Sequence, residues 1–112
     1  MKDGEEGEFL MDRLGNEAVN YLKQVDKTRP FFLYYATYEV HTPLQAEVEL
    51  IDKYKKKPVT EAHDNPVYAA MVEAMDRNVG KVLVAVREMG IEENTLIVFT
   101  SDNGGVYKIS RQ

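Results

Sequence analysis

Apolar residues recur at helical spacing near the start of the chain. The residues of this face are Leu14, Ala18, Tyr21, Leu22 and Val25. Their intervals place them on one side of a helix. The sequence DKTRP follows, and the residue before a proline disfavours the helical backbone region. The pattern therefore predicts a helix over residues 15–25.

A longer helical pattern begins after the sequence HDNP. Asp64 or Asn65 can cap this helix, and Pro66 suits its first turn because the missing N–H would have no partner there anyway. Gly90 readily adopts the left-handed backbone that often ends a helix. A shorter helix is predicted within residues 46–57. The stripe of the long helix comprises Val67, Met71, Ala74, Met75, Val79, Val82, Leu83 and Val86.

Two other segments carry apolar residues at consecutive positions. The first is FFLYYATY at residues 31–38, and the second is LIVF at residues 96–99. Because the side chains of a strand alternate between its faces, such runs predict strands that are covered on both sides. The order helix, strand, loop, helix, strand then predicts an α/β fold, as part of a doubly wound, mostly parallel sheet with helices on both faces.

Composition narrows the possible functions. The chain has 112 residues and a net charge of -5, so it lacks the basic footprint of a nucleic-acid-binding protein. No apolar run approaches the about 20 residues of a membrane span. The absence of cysteine excludes disulfides and thiolate catalysis within the chain. Residues 1–112 are interpreted as a single, partial domain, in which the Gly- and Glu-rich residues 1–9 form a disordered lead-in.

Candidate chemistry lies where the two predicted strands end. Ligands of open parallel sheets bind beyond the carboxyl ends of the strands, and one strand leads to His41 while the other leads to Asp102 and Asn103. If the strands are parallel, these side chains share one edge. Carboxylate and amide oxygens suit Ca²⁺ or Mg²⁺, although these ions need more than two ligands. Asp-Asn-Gly-Gly is also a good turn sequence, so the residues alone leave both interpretations open.

Three stretches together resemble the sulfatases of the alkaline phosphatase superfamily: RPFFLYYATYEVHTPLQA, YAAMVEAMDRNVGKVL and MGIEENTLIVFTSDNGG. The resemblance extends from about Glu8 to Gly105. It implies an alkaline phosphatase-like fold and a sulfuric ester hydrolase that uses calcium or magnesium. It further implies that Asp102 and Asn103 are metal ligands, and that His41 contacts the sulfate or assists the leaving oxygen.

The chain departs from the family pattern in two large respects, the nucleophile and part of the metal site. The nucleophile of sulfatases is a formylglycine made from Cys or Ser within a Cys/Ser-x-Pro-x-Arg motif. This chain has no cysteine, and neither Ser101 nor Ser110 has the required neighbours. The acidic pair that completes the metal site of the family is also absent. We therefore expect an internal fragment of a sulfatase that is inactive alone, whose nucleophile and remaining ligands lie outside the chain.

The resemblance also implies a partner and a compartment. The partner would be a sulfated small molecule or glycan, and the family suggests a periplasmic or secreted protein. One alternative is a phosphonate or phosphodiester hydrolase of the same superfamily. Another is a non-catalytic module that self-associates or exchanges strands, because apolar strand edges invite pairing. A triad of Ser101, Asp102 and His41 is disfavoured because the G-x-S-x-G elbow is absent. Asp76, in mid-helix, is expected to make a structural hydrogen bond or ion pair.

Overall fold

The structure is a computed structural model that describes residues 8–59 and 64–105. The lead-in predicted for residues 1–9 therefore lies almost entirely outside the described residues, as does Ser110. None of the helices described here is both long and apolar enough to cross a membrane. The described elements are α1 (Leu10–Gln24), α2 (Val48–Lys55), α3 (Pro66–Glu88) and a 3-10 turn at Glu92–Asn94.

Helix α3 is the central element and packs against both α1 and α2. Its start agrees with the sequence prediction, because the Asn65 side chain accepts the backbone N–H groups of Val67 and Tyr68, both at 3.0 Å. Just beyond its end, Gly90 adopts the left-handed backbone with φ of 70°. The shorter helix that was predicted within residues 46–57 is also present, as α2. The buried residues of α3 are Ala70, Met71, Ala74, Asn78, Ala85 and Val86.

Helix α1 begins at Leu10, well before the start that was predicted at residue 15. Met11 explains part of the extension, since it is 1% exposed and adds an apolar contact in the first turn. Gly15 therefore lies inside the helix, where glycine is normally unfavourable. A Cβ built on Gly15 would contact Asn78 Oδ1 and lie 2.9 Å from Asn78 Cγ, so glycine permits α3 to approach closely.

The apolar core lies between the C-terminal halves of α1 and α3. Its fully buried members are Leu22 of α1 with Ala85 and Val86 of α3. Partly buried side chains pack around them, and they are Val19, Phe31, Leu33, Val82, Met89 and Ile91. The core therefore includes one side of the segment 31–38 as well as the helices.

The first apolar segment (residues 31–38) and the second apolar segment (residues 96–99) form no strand within the described residues. Exposure alternates along the first segment in the manner of a strand: Phe32 is 85% exposed, whereas its neighbours Phe31 and Leu33 are half-buried. In the second segment Leu96 is 90% exposed. The described chain thus covers one side of the first segment, and the parallel sheet stays a prediction.

Candidate functional site

Asp102 and Asn103 lie in an exposed bend that follows the second apolar segment. The backbone N–H of Asn103 donates to Asp102 Oδ1 at 2.8 Å, and the N–H of Gly104 donates to Ser101 Oγ at 2.9 Å. Gly104 has φ of 81°, a left-handed conformation that side chains disfavour. The four residues therefore form a locally bonded bend that presents a carboxylate and an amide to solvent.

The oxygen atoms of this bend fit a hard divalent cation. In the amide orientation that satisfies its hydrogen bonds, Asn103 Nδ2 donates to Asp102 Oδ1 at 3.2 Å and to the Gly104 carbonyl at 3.0 Å. Asn103 Oδ1 is then left as its ligand atom. Across residues 8–59 and 64–105, no three His, Asp or Glu side chains lie close enough to hold a metal. The pair therefore offers two ligands, and its metal-binding role stays a prediction.

The bend lies against the first turn of α3. A Cβ built on Gly105 would lie 2.6 Å from the Tyr68 hydroxyl, closer than real Cβ atoms approach. Glycine at this position thus allows direct contact between the bend and the helix. The backbone N–H of Tyr68 donates to the Asn65 cap. The chain just after the Asp102-Asn103 pair therefore contacts the capped first turn of α3.

His41 lies in the loop that joins the first apolar segment to α2. Its ring is exposed, and Nδ1 donates to the Thr42 carbonyl at 2.7 Å. Because a carbonyl can only accept, Nδ1 carries a proton, and Nε2 is left free to accept or donate. The peptide bonds Glu39-Val40 and Thr42-Pro43 in this loop are cis. Nothing in the described hydrogen bonds joins His41 to Asp102 or Asn103, so their proximity stays a prediction.

A polar cluster that the sequence did not predict lies where α1 crosses α3. We call Asp12, Glu47, Arg77, Asn78 and Lys81 the Asp12 cluster. Arg77 Nη1 and Nη2 donate to the two carboxylate oxygens of Glu47 at 3.0 and 2.9 Å, and Nη2 also donates to Asp12 Oδ2 at 2.9 Å. Asp12 Oδ1 accepts from Asn78 Nδ2 at 3.1 Å and from Lys81 Nζ at 3.0 Å.

The electrostatics of the Asp12 cluster favour an ionised Asp12. Burial opposes ionisation, but hydrogen bonds from Lys81 and Asn78 and the positive charges of Arg77 and Lys81 together lower the pKa of Asp12 below its ordinary value. One position in the sequence could have revealed the cluster. Asn78 follows Ala74 by one helical turn and so lies on the apolar face of α3, where it is fully buried. A polar amide on such a face needs hydrogen-bond partners.

Glu39 and Tyr35 lie beside the Asp12 cluster with buried oxygen atoms that have no hydrogen-bond partner, namely Glu39 Oε2 and the Tyr35 hydroxyl. Burial and the negative charge of Asp12 raise the pKa of Glu39 to about 7, although the charge of Arg77 acts in the opposite direction. Burial also raises the pKa of Tyr35, and the charges of Glu39 and Asp12 add to the shift. The start of the His41 loop is therefore held in a partly dehydrated, negatively charged environment.

Comparisons with known proteins agree on one family. The sulfatase family model matches residues 2–109. A sulfatase of Formosa agariphila is 41% identical over 86% of this chain and 19% of its own length. Human N-acetylgalactosamine-6-sulfatase is 32% identical over 79% of this chain and 15% of its own length. The chain thus spans a fifth or less of these relatives.

A solved structure gives the same result. The crystal structure of Ps i-CgsB in complex with k-i-k-neocarrahexaose is 39% identical, with a TM-score of 0.64 over 80% of this chain and 19% of that chain.

Proposed function

This chain belongs to the sulfatase family, and from that membership we propose that it forms part of an enzyme that hydrolyses sulfate esters. The observation that carries the proposal is the family match over residues 2–109, a range that contains both His41 and the Asp102-Asn103 pair. The whole enzyme would have an alkaline phosphatase-like fold with a doubly wound, mostly parallel sheet. The strand-like alternation of exposure in the first apolar segment supports that architecture.

In this proposal, Asp102 and Asn103 supply two oxygen ligands to Ca²⁺ or Mg²⁺. Such an ion would balance the charge of a bound sulfate group and polarise it. The other ligands, together with a formylglycine made from Cys or Ser, would come from residues outside this chain. The exposed bend supports the assignment because both side chains are accessible and oriented by hydrogen bonds within the bend.

His41 would act on the sulfate ester through Nε2. Since Nδ1 is bonded to the Thr42 carbonyl, Nε2 is the nitrogen available to a substrate. A protonated ring would donate to a sulfate oxygen or to the leaving oxygen, where negative charge develops in the transition state. The hydrogen bond to Thr42 would fix the ring orientation and so keep Nε2 directed at one position.

We propose a sulfated saccharide as the class of substrate. Two relatives support this choice: one is named N-acetylgalactosamine-6-sulfatase, and the other was crystallised with k-i-k-neocarrahexaose. The enzyme that contains this chain would be tested with a panel of sulfated mono- and oligosaccharides and with an aryl sulfate. A higher kcat/KM for the aryl sulfate than for every saccharide would refute it.

A segment exchange tests the activity itself. Residues 8–105 replace the corresponding segment of the Formosa agariphila sulfatase, and turnover of p-nitrophenyl sulfate is measured. We expect the chimera to hydrolyse the ester, and we expect His41→Ala and Asp102→Ala to lower kcat/KM by about 100-fold, the usual effect of removing a group that stabilises transition-state charge.

Asp52→Ala is the matched control for this exchange, because Asp52 is an exposed carboxylate that pairs with Lys55 on α2. It should leave turnover unchanged. Full activity in both His41→Ala and Asp102→Ala would refute the proposed roles. Faster hydrolysis of bis-p-nitrophenyl phosphate than of the sulfate ester would instead favour the phosphodiester alternative.

We further propose that the isolated chain self-associates and is inactive. Its exposed apolar side chains support self-association, because large apolar patches and unpaired strand edges invite contacts between copies. These side chains are Phe32, Tyr34, Leu96, Val98 and Phe99. Sedimentation should show oligomers that Phe32→Lys weakens more than Val48→Lys, a control at an exposed apolar position on α2. A monomeric wild-type chain at high concentration would refute self-association.

A further inference from the structure

The loop that carries His41 is attached to the helix pair at the end that leads into α2. At its start, the half-buried Glu39 side chain has an unpartnered, buried Oε2 and is influenced more by the negative charge of Asp12 than by the positive charge of Arg77. At the other end, Glu47 precedes α2 and receives two hydrogen bonds from Arg77. His41 lies between Glu39 and Glu47. Among the described residues, the His41 ring bonds only to its neighbour Thr42, so its own side chain does not anchor the loop.

The Arg77 guanidinium is well suited to act as an anchor because it is itself held in place. Its Nη2 donates to both carboxylate oxygens of Asp12, at 3.1 and 2.9 Å. Asp12 is fixed in turn by Asn78, which is fully buried and also donates to the Ala74 carbonyl at 2.9 Å. A planar guanidinium group that is already oriented loses little conformational freedom when it binds a second carboxylate. Here the second carboxylate is that of Glu47.

We propose that Arg77 is a positioning residue that sets the geometry of the His41 loop through Glu47. The inference rests on the proposed function in one respect, namely that His41 acts on the substrate. Arg77 would not touch the substrate or the reacting atoms. Because Arg77 is held by Asp12 at the α1–α3 crossing, its bonds to Glu47 would keep the end of the loop in a fixed position relative to the two helices. The His41 ring would then be held in one position. Precise placement matters because small displacements of a catalytic group reduce turnover strongly.

A purely structural role for Arg77 makes a different prediction. If Arg77 only joined α1 to α3, its loss would loosen both helices, and the loop would follow them. If Arg77 positions the loop, loss of the Arg77–Glu47 contact alone should increase the mobility of the loop. The bond between Arg77 and Asp12 should still keep α1 and α3 together. Glu47→Gln makes this separation, because it removes the charge at the loop and leaves Asp12, Asn78 and Lys81 unchanged.

Hydrogen exchange of the full chain, followed by mass spectrometry, distinguishes the two roles. We expect amide exchange in residues 39–47 to accelerate about tenfold in Glu47→Gln and in Arg77→Gln, as for loss of a local anchor. Exchange in the buried parts of α1 and α3 should stay within twofold of wild type in Glu47→Gln. Arg77→Lys should restore protection only in part, since an ammonium group cannot make the same two-pronged contact.

Arg87→Gln is the matched control. Arg87 also lies on α3 and also pairs with a glutamate, with its Nε and Nη2 at 3.1 and 3.2 Å from the carboxylate of Glu92. The Arg87→Gln variant should leave exchange in residues 39–47 unchanged. Unaltered exchange of this loop in Glu47→Gln and Arg77→Gln would overturn the proposal. An equal acceleration across α1, α3 and the loop in Glu47→Gln would overturn it as well.

The chimera with the Formosa agariphila sulfatase adds a catalytic readout. There, Glu47→Gln should lower kcat by about tenfold with little change in KM, because substrate still binds while the histidine is displaced. Arg87→Gln should leave both constants unchanged. An unchanged kcat in Glu47→Gln would overturn the positioning role. An inactive wild-type chimera would count against the function proposed for His41, whereas the exchange experiment would still decide whether Arg77 fixes the loop.

Discussion

The two apolar segments carry a higher proportion of apolar side chains than the α1–α3 helix pair, yet they are far more exposed. Leu22 and Val86 of the helix pair are 1% and 4% exposed, whereas Phe32 and Leu96 of the segments are 85% and 90% exposed. A helix satisfies its backbone internally and needs only one partner face. A strand needs both neighbouring backbone and covering side chains. The helix pair therefore buries its contact face within the described residues, whereas one side of the first segment and most of the second stay exposed there.

The largest expected effect comes from substitutions that test this difference directly. Leu22→Ala removes a buried side chain at the centre of the core and should lower the free energy of unfolding by about 3 kcal/mol. Phe32→Ala removes a larger side chain that is mostly exposed, and it should change stability by less than about 0.5 kcal/mol. Urea denaturation at low protein concentration measures both. A large loss in Phe32→Ala would mean that the first apolar segment is already covered, for example in an oligomer.

The second test concerns two glycines within helices. Gly15→Ala would bring a Cβ against the buried Asn78 side chain, and we expect a loss of about 1–3 kcal/mol because Asn78 is held by Asp12 and Ala74. Gly80→Ala is the matched control, since no atom lies within 4 Å of its added Cβ. The control should gain about 0.5–1 kcal/mol from higher helix propensity. Thermal unfolding of both variants should therefore give shifts of opposite sign, and a stabilised Gly15→Ala would contradict the close helix contact.

The same contrast explains which parts of the fold could be predicted from sequence. The boundaries of α3 depend on local chemistry, namely the Asn65 cap, Pro66 and Gly90, and they agree with the structure. The start of α1 depends instead on contacts that Met11 and Asp12 make with distant residues. Local periodicity carries no information about such contacts, so the prediction placed the start later, at residue 15.

The candidate site divides in the same way. The bend at Asp102 and Asn103 follows from the local sequence, and the structure gives its hydrogen bonds. Proximity of this pair to His41 requires the parallel sheet, which the described residues do not form by themselves. The Asp12 cluster was missed because its ion pairs join residues 30 or more positions apart, as with Arg77 and Glu47. Only the polar Asn78 on an otherwise apolar face pointed to it.

A third prediction concerns the pH dependence of stability at Glu39, where the His41 loop begins. The folded-state pKa of Glu39, about 7, lies above the ordinary value of 4.5, because burial and Asp12 disfavour its charge more than Arg77 favours it. The stability that this group contributes is therefore complete below pH 4.5 and is lost as the pH rises through 7. Glu39→Gln cannot ionise and should be more stable than wild type at pH 8 by roughly 1–2 kcal/mol, a figure reduced for solvent screening of a partly exposed group.

Unfolding of the Glu39→Gln variant and of wild type at pH 4 and pH 8 checks this prediction. The difference between the two proteins should nearly vanish at pH 4, where wild-type Glu39 is protonated. Glu92→Gln is the control with the opposite sign, because a hydrogen bond from Arg87 lowers the pKa of Glu92 and its loss should not stabilise the protein at pH 8. An equal gain for Glu39→Gln at both pH values would assign the effect to shape or hydrogen bonding instead of charge.

The smallest expected effect concerns metal binding by the isolated chain. Calcium takes six to eight oxygen ligands, and the bend supplies two, with no group of three acidic or histidine side chains elsewhere in the described residues. With a dissociation constant of about 1 mM or weaker, 1 mM calcium would add less than about 0.4 kcal/mol to stability. Asp102→Ala should therefore unfold like wild type with and without calcium. Micromolar affinity by calorimetry, abolished in Asp102→Ala, would contradict this prediction, because the chain would then hold a nearly complete set of ligands.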